Sequence, residues 1–506
     1  MDKLFLGFVV TYFTLFSSVY AVGFDEIDFS VNLTEKPMQL LLPIPNGKIS
    51  LSSGFELSEM DIPIKADYMA KTVWPSNSEK KYIRVLLIEL KHLAGKNTQL
   101  KLKWSENKKS KRFKTGITIN KPILVYPSLS WLTQSILLHS DVGKLDNEWY
   151  IGPQTQYANY VTNEKLLLQR GYSPEKASQW LFDRPQAIYQ LYLMSGNIKW
   201  FHEGNILAQF YIEHIDEEGI STLTKKYDPK YFMPKGLLFR YLLTMDEKAL
   251  QALKKIFHSS LKWDPAYTSN RGFWTERNQA AALNVAVTYW ELTNDKRALE
   301  RINEMLDATV EMTFNPENDW PLRGCPQHSF KSHEGTGDNS PSCSPWMMAL
   351  LSDALWRFYR LTNDIRASSL INAFGDFILN HGVFYGTAAK LKGVVMPKYI
   401  VSMENPRQEE HNQWTDPQHN CDVAGLLGKS VYIKQREKQD AFLTKLLFKA
   451  LLEQCQNTYV KYKKEKQNGN LKNHWLLNPP RRFGWMYSTT SDLPWLKNAL
   501  LVNSEN

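Results

Sequence analysis

The hydrophobic pattern changes period near residue 125. Upstream, Tyr82-Ile83-Arg84-Val85-Leu86-Leu87-Ile88-Glu89-Leu90 is a dense run of branched and aromatic side chains, the kind that strands favour. Leu100-Lys101-Leu102-Lys103-Trp104 alternates with a period of two, as a half-buried strand does. Gly54, Pro75, Gly95 and Asn97 break the runs. Residues 24–125 are therefore expected to form a β-sandwich, and no motif in it carries chemistry. From residue 128 to 506 the apolar positions follow a helical period. The expected class is α+β, mainly α.

Within the helical region the same kind of turn recurs. Leu193-Met194-Ser195-Gly196-Asn197, Leu243-Thr244-Met245-Asp246, Leu292-Thr293-Asn294-Asp295 and Leu361-Thr362-Asn363-Asp364 each follow an aromatic-rich stretch and precede a new amphipathic one. Each reads as a helix end, a polar turn and a capping residue. The turns start at 195, 244, 293 and 362, so they are 49, 49 and 69 residues apart. A fifth, weaker turn lies near Lys434-Gln435-Arg436-Glu437. Two helices per repeat predict stacked hairpins, either a solenoid or a closed toroid. Ordinary helical turns that happen to share a composition are the bland alternative.

A β domain beside such hairpins resembles exported polysaccharide lyases and some glycoside hydrolases, the (α/α)-toroid and six-hairpin glycosidase-like superfamily. The repeated Leu-Thr-Asn-Asp turn is similar to hairpin turns in that broad group. The resemblance covers most of the chain, but its motifs single out no one family. It implies an N-terminal β-sandwich, an (α/α) toroid over 128–506 and a glycan substrate.

The remaining features qualify this picture. Met1-Asp2-Lys3 precedes an uncharged, mostly apolar run, Leu4 to Val19, that ends in Val19-Tyr20-Ala21. A cleaved secretory signal over 1–21 is expected, a membrane anchor being the competing reading. The destination would be periplasmic or extracellular; no lipobox cysteine follows the cleavage site. No later segment is apolar for long enough to span a membrane. The net charge of +9 favours an anionic partner such as a uronate-containing glycan. No nucleic-acid-binding module is recognisable. Cys325 and Cys343 bracket one loop and could form a disulfide. Cys421, close to His419, admits metal ligation as a second reading, although no zinc spacing is present.

The two longer repeat intervals place extra residues in two loops, and insertions in repeat proteins favour the binding face. The first runs from Asp319 through Arg323, His328, His333, Glu334 and Asp338 to Trp346; the second runs from Glu404 through His411, Trp414 and Asp416 to His419. Four of the chain's 11 histidines lie there. Histidine and tyrosine suit proton transfer, and arginine suits a sugar carboxylate. His333, His411, Tyr487 and Glu334 are the catalytic candidates. Trp274, Glu276, Arg277, Asn278, Arg323, Trp346, Trp414 and His419 are the substrate-binding candidates.

Each has a structural alternative. His328 and His333 could serve loop hydrogen bonds, Thr275 and Glu276 could cap a helix, and Tyr487 could be a core aromatic. Asp183-Arg184 could be a structural ion pair. No cofactor is expected, although these histidines and carboxylates could hold a divalent metal. A nucleophile-elbow serine, a phosphate loop and a dinucleotide fingerprint are absent.

The leading expectation is an exported polysaccharide lyase cleaving an acidic glycan by β-elimination. A glycoside hydrolase would instead need two carboxylates roughly 5–10 Å apart, drawn from Glu276, Glu334, Asp338 and Asp416. A non-catalytic glycan-binding protein is the third reading.

Overall fold

The computed structural model describes residues 26–32, 38–76, 79–91, 97–106, 122–125, 127–138, 148–266, 274–316, 323–334, 339–385, 395–402, 419–467 and 480–502. His411, Trp414, Asp338, Asp416, the Glu334 side chain and the signal segment lie outside the described residues.

Eight strands form the N-terminal region: β1 (Glu26–Asn32), β2 (Met38–Pro43), β3 (Gly54–Glu59), β4 (Ile62–Ile64), β5 (Ala66–Val73), β6 (Ile83–Leu90), β7 (Asn97–Ser105) and β8 (Ile123–Leu124). They make two four-stranded sheets, ordered β1-β7-β3-β4 and β5-β6-β2-β8. Their shared interior holds Phe29, Leu40, Leu42, Leu57, Leu86, Ile88, Leu100 and Leu102. The alternating β7 faces this interior on one side only. On β2 and β6 the alternate residues Leu41, Val85 and Leu87 instead join the core of the helical region. Both faces of β6 are thus covered, which is why Val85 to Ile88 and Leu90 form a nearly unbroken apolar run rather than alternating.

The helical region runs α1 (Leu129–Gln134), α2 (Glu148–Val161), α3 (Glu164–Gln169), α4 (Arg184–Ser195), α5 (Ile198–Glu213), α6 (Pro234–Thr244), α7 (Glu247–Ser260), α8 (Glu276–Thr293) and α9 (Lys296–Phe314). Then come β9 (His328–Ser329), α10 (Phe330–Glu334), β10 (Pro341–Cys343), α11 (Pro345–Thr362) and α12 (Ile365–Phe377). The chain finishes with β11 (Val383–Phe384), β12 (Met396–Pro397), β13 (Val401–Ser402), α13 (Asn420–Arg436), α14 (Phe442–Gln467), α15 (Arg482–Ser488) and α16 (Leu493–Lys497).

Helices α4, α6, α8, α11 and α13 pack each on the next as an inner ring. Helix α15 returns to α4 and α2, and α14 also reaches α2, closing the ring. The protein is a β-sandwich followed by an (α/α) toroid. The inner helices α8 and α11 are buried almost all round, whereas the outer helices α7 and α9 bury one stripe. Close inner–outer packing shows at Gly204 of α5, where an added Cβ would come within 2.7 Å of the Tyr189 ring of α4.

The recurrent turn has one chemical design. Gly196, Met245, Asn294 and Asn363 end the inner helices in the left-handed conformation, with φ of 67°, 55°, 55° and 57°. The next residue, Asn197, Asp246, Asp295 or Asp364, caps the outer helix by accepting a backbone N–H. The preceding Ser195, Thr244, Thr293 or Thr362 donates its hydroxyl to the carbonyl four residues back. In the fifth turn Lys438 takes the left-handed position and Asp440 accepts from Phe442 N.

Sandwich and toroid are joined by a buried charge cluster. Arg84 of β6 and Arg357 of α11 both donate to the Glu291 carboxylate of α8, Arg357 Nε at 2.9 Å. Burial alone would raise the Glu291 carboxyl, but Arg357 and Arg84 outweigh it and bring it down to about 2.

Candidate active site

The first turns of α8, α11 and α13 meet at one end of the toroid, and the first long loop is tied there to the strand that precedes the second. The tie is a three-stranded sheet ordered β13-β10-β9, which pairs Ser342 with both His328 and Ser402. A Cys325–Cys343 disulfide closes the first loop, and a Cys421–Cys455 disulfide fixes the start of α13 to α14. The cysteine beside His419 is therefore a bridge rather than a metal ligand. Among the described residues no three His, Cys, Asp or Glu side chains gather as a metal-binding set.

At the centre lies Trp346, on the first turn of α11 and almost completely buried. His419 stacks on it with ring centroids 5.1 Å apart, and Tyr399 stacks at 5.9 Å. His333 meets it edge-on at 6.2 Å, Trp485 of α15 lies at 5.4 Å, and the Arg277 guanidinium is 5.7 Å from the ring centre. His333 and Tyr399 are themselves 4.9 Å apart. An imidazole pair, a phenol and a guanidinium thus share one aromatic nest.

Two of the three histidines, His419 and His328, face a carboxylate. His419 Nδ1 lies 3.0 Å from Asp422 Oδ2, which also accepts from Trp485 Nε1 at 3.1 Å. Donation from Nδ1 fixes the tautomer that leaves Nε2 with a lone pair, and Nε2 is buried with no partner among the described residues. On the other side Glu276 Oε2 is 2.9 Å from His328 Nδ1, and His328 Nε2 is 3.2 Å from His333 Nδ1. Glu276 Oε1 accepts from Ser344 N at 3.0 Å. Burial, with His328, Arg277 and His419 nearby, holds His333 well below the ordinary imidazole range. His333 is therefore neutral at neutral pH.

The site joins five residues that the sequence singled out, His333, Trp346, His419, Glu276 and Arg277, together with His328. Others lie elsewhere. Tyr487 packs against Tyr150, Tyr157 and Phe483 in the core; as a helical residue two places after Trp485, it faces away from the nest. Trp274 is buried against Trp263 and donates to Pro265 O at 3.2 Å. Asn278 accepts from Thr275 Oγ1 at 3.2 Å, a contact within its own helix start. Arg323 is exposed, two residues before the loop cysteine Cys325. Asp183 and Arg184 are not an ion pair: Asp183 caps α4, and Arg184 donates to Gln179 O.

Three members were not foreseen. Asp422 carried a signal, since its position three residues after His419 places both on one helical face. Tyr399 and Trp485 carried none: they enter the nest only through the sheet and the ring closure.

No family model matches the chain, and no curated protein matches it. Solved structures do resemble it. An unsaturated glucuronyl hydrolase specific for heparin is 12% identical with a TM-score of 0.46, over 70% of this chain and 99% of its own. A polysaccharide lyase is 9% identical with a TM-score of 0.43, over 69% and 99%. A family 105 glycoside hydrolase of C. acetobutylicum is 12% identical with a TM-score of 0.42, over 66% and 98%. At these identities and TM-scores the likeness carries no argument about activity.

Proposed function

We propose that this chain is an exported polysaccharide lyase that cleaves a uronate-containing glycan by β-elimination. The observation that carries the reading is the nest itself: His419, His333, Tyr399 and Arg277 converge on Trp346, and among the described residues the carboxylates beside it, Glu276 and Asp422, each face a histidine. Glycoside hydrolysis needs one protonated and one ionised carboxyl facing the bond. Glu276 accepts from Ser344 N through Oε1 and faces His328 with Oε2, and Asp422 faces His419 and accepts from Trp485.

In this reading Arg277 neutralises the sugar carboxylate, which acidifies the C5 proton. His419 Nε2 takes that proton, the C4–O bond breaks, C4 and C5 become doubly bonded, and Tyr399 gives its hydroxyl proton to the departing oxygen. Neutral His333 adds a hydrogen-bonding ring without adding charge. Trp346, buried beneath them, holds the rings of His419 and Tyr399 in place. No step is assigned to a metal ion. The two disulfides suit an oxidising compartment, as export implies.

The test is incubation with a panel of uronate polysaccharides, reading the ultraviolet absorbance of an unsaturated uronate. The wild-type protein is expected to generate it, and His419→Ala and Tyr399→Phe to lose it. New reducing ends without absorbance would replace this reading with hydrolysis. Binding with neither signal would support the non-catalytic one.

A further inference from the structure

Beside the nest lies a small open cleft of about 70 Å³, lined by side chains from α4, α6, α8 and α11 and by Ser488 and Thr489. Two residues connect it to the nest. Arg277 lines the cleft and lies over Trp346; Phe182 lines it and stacks on Trp485 at 5.3 Å. In the lyase reading, a glycan whose uronate is held by Arg277 has its neighbouring residue beside this cleft, because Arg277 lines both.

Apart from Arg277, the charged groups of the cleft are already matched. Lys235 pairs with Asp353, and Lys429 lies 3.8 Å from Asp353 and 3.6 Å from Asp492 beneath it. Lys230 pairs with Asp228 at 2.8 Å. Asp183 accepts backbone N–H groups from Gln186 and Gly236, both at 2.9 Å. What remains unmatched is different in kind. Arg277 Nε, Asn284 Oδ1 and Thr489 Oγ1 are buried with no hydrogen-bond partner among the described residues, and all three residues line the cleft. A buried polar atom without a partner is costly, so three in one cleft mark a place for a ligand that supplies both donors and acceptors. Hydroxyl groups do both. A second carboxylate would find no uncommitted cation except the Arg277 already engaged by the first.

We infer that this cleft is a subsite for a neutral, hydroxyl-bearing pyranose adjacent to the reacting uronate. The substrate class is then a heteroglycan in which uronate and neutral sugar alternate, rather than a homopolyuronate. This rests on the lyase reading for its position in the chain, but the cleft's preference can be measured without turnover.

The experiment is saturation-transfer NMR on the whole protein with methyl glycosides of glucose, galactose, rhamnose and N-acetylglucosamine, against methyl glucuronide and galacturonate. At least one neutral glycoside is expected to bind saturably. Asn284→Leu and Thr489→Val should weaken it by 10-fold or more at unchanged melting temperature, and His419→Ala should retain it. Saturable binding of only the uronates, weakened by Asn284→Leu, would overturn the inference, as would no variant-sensitive binding of any neutral glycoside. Polygalacturonate and hyaluronan are then compared as substrates. Absorbance from neither is a failure of the lyase reading and leaves the binding result to stand on its own. Faster elimination on polygalacturonate would contradict the subsite.

Discussion

His419 Nδ1 lies 3.0 Å from Asp422 Oδ2, and the same oxygen accepts the indole N–H of Trp485 at 3.1 Å. One carboxylate thus sets the tautomer of a histidine and the seat of an aromatic wall contributed by a distant helix. Asp422→Asn keeps the volume but replaces one acceptor with an amide. It is expected to lower kcat by about 100-fold or more with a much smaller change in KM. Steady-state kinetics on an active glycan checks this; an unchanged kcat would remove His419 from the proton-transfer role.

His333 provides a pH test of stability that does not need a substrate. Its folded value is well below the ordinary 6.5, chiefly through burial, so the unfolded chain binds a proton that the folded one refuses. Its contribution is complete above pH 6.5 and is lost progressively as pH falls below that value. Melting temperatures from pH 8 to 4.5 should drop less steeply for His333→Gln than for the wild type. Parallel curves would contradict a buried neutral imidazole.

The repeated turns were legible because they are local: a hydroxyl, a left-handed residue and an Asn or Asp cap form one short code, repeated at 195, 244, 293 and 362. The sandwich was legible for the same reason, through the alternation of β7. The site was only half legible. The extra loop length pointed to His328, His333 and His419, yet their partners depend on long-range contacts. Glu276 reaches His328 across 52 residues, and Trp346 meets Tyr399 only because β10 pairs with β13. Tyr487 lies in the core and Trp485 in the nest, a difference composition does not show because it does not tell which face of a short helix looks inward.

The junction between sandwich and toroid hangs on Glu291, which is fully buried between Arg84 and Arg357. Glu291→Gln leaves two guanidinium groups without their counter-charge, and removing one partner of such a cluster costs about 3–5 kcal/mol. Chemical denaturation should show that loss. Because Glu291 is held down to about 2, its stabilisation is present above the usual carboxylate range and disappears as pH falls from about 4.5 toward 2. The variant should therefore show a shallower loss across that acid window.

The Cys421–Cys455 bridge spans a sequence separation of 34 and ends one residue before Asp422. Replacing both cysteines with serine should cost about 2–5 kcal/mol and reduce kcat more than it raises KM, because the bridge fixes the turn bearing His419 and Asp422. Thermal melts paired with kinetics separate the two effects. Equal turnover at a lowered melting temperature would make the bridge purely structural.

The most direct measurement is the ultraviolet trace of a uronate heteroglycan mixed with wild-type, His419→Ala and Tyr399→Phe proteins, with reducing ends counted in parallel. Elimination through His419 and Tyr399 predicts absorbance and reducing ends rising together in the wild type, and both falling by about 100-fold or more in each variant. Reducing ends that rise without absorbance, or absorbance that survives both substitutions, would contradict it.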